Sequence, residues 1–142
     1  MTTIIMANTE YFEYKNGIYP CPLCIAVGKD WQNDDFNDSC CRELEDDVSA
    51  RTYDTHFEEN KKCVLIRFAS KKAMTMDVVA HESLHATLFI LHYIGSGIIV
   101  DNSEPACYLL QWVVRCCEEV KLGKTEENEY RRSKEKEGAT TI

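Results

Sequence analysis

At 142 residues the chain is long enough for one domain with a modest core, and its 44% hydrophobic residues include no apolar run long enough to cross a bilayer. Sixteen Lys and Arg against twenty-four Asp and Glu leave a net charge of −8, without the concentrated positive surface that phosphate contacts need. Nucleic acid and membrane are therefore not expected as partners, and a basic peptide is the easier one.

Met1 to Met6 has neither a basic leader nor a proper apolar h-region, which predicts a cytoplasmic protein whose eight cysteines are reduced thiols rather than a disulfide scaffold. In chain order, the pattern predicts an α+β domain over residues 1–120, a small antiparallel sheet packed on two helices, followed by a charged tail at 121–142. Asn16-Gly17 is a turn signal, so a hairpin spans 9–27, and Pro20 and Pro22 make its second strand an edge or an irregular pairing. Cys21 and Cys24, with the adjacent Cys40-Cys41 downstream, are poorly spaced for a zinc ribbon. They read as small apolar side chains, as do Cys63, Cys107, Cys116 and Cys117.

Residues 31–48 place Trp31, Phe36, Cys40, Leu44 and Val48 at near-helical intervals, which predicts a helix with an acidic outer face. Residues 51–61 read as a polar loop. Residues 63–68 are the clearest strand, with Val64, Ile66 and Phe68 on one side, and a peptide substrate is expected to pair along it. A helix over 75–94 starts at Thr75, carries Asp77 in its first turn and stops at Gly95-Ser96-Gly97. A second, over 104–120, starts after Asp101-Asn102-Ser103 with Pro105 in its first turn.

The chemistry is concentrated in the first of these helices. His81-Glu82-Ser83-Leu84-His85 puts two imidazoles one helical turn apart, able to reach one tetrahedral ion, with Glu82 leaning toward the same space. Val78, His81, Glu82, His85, Leu88, Phe89 and His92 fall on one broad face, which predicts that the metal face points inward. A catalytic zinc takes a third protein ligand. A third histidine six residues past His85, after a glycine, is excluded, because those positions hold Leu91 and Leu88. The remaining arrangement draws a glutamate from the start of the second helix. Glu104 is the expected third ligand, with Asp101 as the fallback, and Tyr108, one turn on, is placed to steady an oxyanion.

Taken together, His81-Glu82-Ser83-Leu84-His85 and Glu104-Pro105-Ala106-Cys107-Tyr108 resemble the very small zinc peptidases of the gluzincin group, in which a glutamate on a second helix completes the site. The chain is also similar to phage and gut-bacterial proteins in which a His-Glu-x-x-His helix precedes an Asn-x-Glu-Pro-x-Ala-Tyr type segment, with one residue inserted here before Tyr108. The likeness covers roughly residues 62–120. It implies a zincin-type metallopeptidase fold acting on a peptide or protein substrate, in the host cytoplasm if the chain is phage-encoded.

On this reading Zn2+ is held by His81, His85 and Glu104, its water is activated toward neutrality, and Glu82 accepts the proton and passes it to the leaving amine. The alternative is a non-catalytic zinc-stabilised interaction or regulatory module, separated from the hydrolase by whether the fourth position is closed or open. A third reading is a metal-free remnant that keeps the fold alone.

Overall fold

The computed structural model describes residues 3–6, 9–31, 33, 36, 40, 43–57 and 61–123. Among them lie five strands, β1 (Thr3–Met6), β2 (Thr9–Tyr14), β3 (Leu23–Val27), β4 (Ala50–Phe57) and β5 (Lys61–Phe68), followed by the helices α1 (Met76–Tyr93) and α2 (Glu104–Leu122). The class is α+β as expected, but the sheet is mixed, not antiparallel. Its order is β1-β2-β3-β5-β4, with β3 parallel to β5 and the other pairings antiparallel.

The sequences of β3 and β5 account for the parallel pair. Leu23-Cys24-Ile25-Ala26-Val27 is buried at every position and β5 is buried from Cys63 onward. Leu23, Ile25, Val27, Val64, Ile66 and Phe68 face the helices, while Cys24, Ala26, Cys63 and Leu65 face a second, smaller core. Strands apolar on both sides belong in the middle of a sheet covered on both faces, where parallel pairs are found. The second hairpin strand is therefore central rather than an edge. Pro20 and Pro22 lie ahead of it, and the Pro22 carbonyl accepts the Val64 N–H at 3.1 Å.

Trp31, Phe36 and Cys40, from the stretch expected as an acidic helix, cover the second face, and none of that stretch's described residues is helical. Its described residues are irregular, apart from an isolated bridge at Phe36 and turns near Cys40 and at Asp46-Asp47; the rest of 31–48 lies outside the described residues. Its apolar spacing reflects packing against the sheet. The Trp31 ring stacks on Tyr11 at 5.7 Å, and Phe36 meets both edge-on at 5.2 and 5.9 Å. Arg67, fully buried on β5, donates from Nη1 to the Cys40 carbonyl at 3.0 Å and from Nη2 to the Lys29 carbonyl at 3.1 Å, with its guanidinium 5.7 Å from the Trp31 ring centre.

The expected polar loop at 51–61 is instead mostly strand. β4 pairs along its whole length with β5 and, among the described residues, has no strand on its other side, so its outward polar side chains cost nothing in burial. Tyr53 and Thr55 face the second core, where Cys40 Sγ donates to Thr55 Oγ1 at 3.2 Å, and Thr52 faces α1. β5, flanked on both sides, has no edge to offer a peptide; among the described strands the edges belong to β1 and β4.

α1 begins after Thr75, whose backbone is extended and whose hydroxyl donates to Asp77 Oδ1 at 2.6 Å. It ends at Ile94, with Gly95 at φ +73° turning the chain away. α2 runs two residues past the expected end, to Leu122, and is capped by Gly123 in the left-handed region; residues 124–142 of the expected tail lie outside the described residues. The two helices share the larger core through Val79, Ala86 and Ile90 on α1 and Leu109, Val113 and Cys117 on α2.

Cys21, Cys24, Cys40, Cys63, Cys116 and Cys117 are buried, in keeping with a packing role, whereas Cys107 is exposed and does not pack; Cys41 lies outside the described residues. Burial pushes the Cys21 thiol up to about 11 and that of Cys117 up to about 12, so both stay protonated and unreactive at pH 8. Brief iodoacetamide treatment at pH 8 should modify Cys107 and spare Cys21 and Cys117 until denaturant is added, as read by peptide mass mapping. Modification of Cys117 in the folded protein at the rate of Cys107 would contradict the packing.

Candidate metal centre on the first long helix

α1 buries Val79, Glu82, Ser83, Ala86, Thr87, Ile90 and Leu91. Small side chains at Ser83, Ala86 and Thr87 let it sit close: Ser83 Oγ lies 3.9 Å from Cys117 Sγ of α2, and Thr87 Oγ1 turns back to the Ser83 carbonyl at 2.8 Å. The helix is therefore rotated from the inward-metal expectation. His81, His85, Leu88 and His92 are exposed, on the side of α1 away from the sheet.

His81 and His85 are brought together. Their Nε2 atoms stand 3.2 Å apart, with ring centres at 4.9 Å and planes at 73°, and Phe89 stacks beside His85 at 6.5 Å. Two imidazole nitrogens on one tetrahedral zinc, each at about 2.0–2.1 Å, are separated by about 3.3 Å. That distance is one at which the two rings share an N–H···N hydrogen bond, and it also falls close to the spacing of two ligands on one ion.

Glu82 is only 7% exposed and lies about 80° around the helix axis from the midline of the histidine pair. Its carboxylate meets edge strand β4, where Thr52 Oγ1 donates to Glu82 Oε2 at 2.5 Å and reaches the Glu82 carbonyl at 3.3 Å. Thr52 was missed in the sequence because β4 was read as a loop. The alternation of Thr52 and Asp54 with Tyr53 and Thr55 is the signal that finds it.

Glu104 is not brought to the histidines. It is the exposed first residue of α2, thirteen residues, or roughly 20 Å, along that helix from Cys117, which touches α1 at buried Ser83, on the face opposite the imidazoles. Asp101, the fallback, is exposed in the turn before α2. Tyr108 is 67% exposed and lines a cleft of about 510 Å³ with Lys15, Ile18, Tyr19, Pro105 and Trp112, a cleft that neither histidine lines. Among the described residues no three or more His, Cys, Asp or Glu side chains gather as a metal ion would require. No helix among them is long and apolar enough to cross a membrane. Comparison of the chain with protein-family models, with curated proteins and with solved structures finds no match.

Proposed function

We propose that His81 and His85 bind a zinc ion and that the chain uses it to hydrolyse a peptide bond, with Glu82 as the general base. The observation that carries the reading is the 3.2 Å separation of the two Nε2 atoms on an exposed helix face. Zinc bound there would supply an activated water near neutral pH and a Lewis acid for the scissile carbonyl. Thr52 fixes Oε2 of Glu82, leaving Oε1 to take a proton from the attacking water and hand it to the leaving amine. The unpaired edge of β4, one side chain from that carboxylate, suits an extended peptide that adds as a further strand. A chain of net charge −8 favours a basic one.

A second reading, a zinc-stabilised interaction module without catalysis, is favoured by the remoteness of Glu104, which leaves the described residues offering two ligands where a catalytic site takes three. Both readings share the histidine pair, so zinc titration tests them first. Equilibrium dialysis with metal analysis should show zinc retained by the wild-type chain and by Glu104→Ala, and lost from the double variant His81→Ala/His85→Ala. Retention by the double variant removes the site; loss from Glu104→Ala restores that glutamate as a ligand.

A further inference from the structure

The histidine pair occupies a surface of unusual composition. Beyond its first turn, the exposed residues of α1 up to His92 are Ala80, His81, Leu84, His85, Leu88 and His92. None is Asp, Glu, Lys or Arg, in a chain in which 28% of residues are charged. Leu84 and Leu88 remain 45% and 41% exposed, one turn apart and beside the imidazoles. Two copies of so acidic a chain repel one another over most of their surfaces, but this face lacks the charges that would keep it apart from its own image.

The coordination count points to the same occupant. One chain supplies two nitrogens at ligand spacing, and the described residues supply no third donor. A two-fold axis through the ion repeats whatever one copy offers, so two identical bidentate pairs give four ligands, the number at which a structural zinc site closes. We infer that, in the absence of substrate, a second copy of this chain covers the α1 face and that His81 and His85 of both copies share one zinc. Leu84 and Leu88 are covered in the same contact, adding apolar burial to the metal linkage. The inference rests on zinc binding by the histidine pair. It makes the linked dimer a resting form in the hydrolytic reading, because four closed positions leave none for water, and the linking element itself in the other.

The test is mass and stoichiometry on the full chain, by sedimentation equilibrium with metal analysis, in zinc and in EDTA. Zinc should convert monomer to dimer at one ion per two chains, and EDTA should reverse it. Leu84→Lys/Leu88→Lys, which alters no ligand, should weaken the dimer at least tenfold and shift the zinc-loaded protein toward one ion per monomer. A monomer carrying one zinc per wild-type chain overturns the inference and leaves the metal site standing, as does a dimer that persists in EDTA. Absence of bound zinc, or zinc retained by His81→Ala/His85→Ala, overturns the underlying site instead.

Discussion

Under the proposed hydrolysis, Glu82→Gln should lower turnover at least about 100-fold while zinc binding and the fold are retained. The amide oxygen can still accept the Thr52 hydroxyl, so the link between α1 and β4 survives, but it cannot take a proton from water at neutral pH. Because Glu82 is not a ligand on this reading, metal content is unmoved. The measurements are cleavage of a mixed peptide library by mass spectrometry, zinc content, and thermal unfolding on the same preparation. Unchanged turnover would remove Glu82 as the base; lost zinc would make it a ligand; an unfolded variant would make the Thr52 contact primarily structural, a role that wild-type-like activity in Thr52→Val would argue against.

The largest stability effect is expected at Arg67. Arg67→Met preserves much of the apolar stem but leaves the Cys40 and Lys29 carbonyls without their buried guanidinium donor and removes the cation from beside Trp31. An acceptor stranded in the interior costs about 1–3 kcal/mol, so the variant should lose about 3 kcal/mol. For a chain of this length that is a fall of roughly 10 °C in Tm. Calorimetry or urea denaturation reads it directly. A loss below about 1 kcal/mol would mean that Trp31, Phe36 and Cys40 are held mainly by aromatic packing and the Cys40–Thr55 contact rather than by the guanidinium.

Both residues show what was legible in the sequence and what was not. The histidine-bearing helix was legible because an apolar helical period bracketed by Thr75 and Gly95 has few other conformations available. Its rotation was not. The Val79, Ser83, Ala86 and Ile90 stripe competes with the ionisable stripe for the interior, and close packing against Cys117 favours the small residues, turning His81 and His85 outward. β5 was read correctly as a strand but placed at an edge, since an apolar run does not say which strand lies beside it. β4 was missed because an edge strand with one solvated face resembles a loop in composition. The 31–48 stretch misled for the opposite reason: its described apolar residues Trp31, Phe36 and Cys40 pack on the sheet, at a spacing that helical periodicity can imitate. Of the expected site residues, His81 and His85 stand side by side and Glu82 is turned toward Thr52 of β4, whereas Glu104 and Tyr108 followed from a helix start that ends up elsewhere.

The parallel pairing of β3 with β5 has a consequence for how the chain comes into being. Val27 finds its partner only once Phe68 has been made, and until then β3 has neither its inner neighbour nor a helix to cover it. During synthesis the helix-facing side of β3, with Leu23, Ile25 and Val27, therefore waits uncovered until β5 and the helices are made, and assembly is set by a contact spanning about forty residues rather than by the local hairpin. Nascent chains halted before β5 should depend on chaperones, and those released after α2 should not.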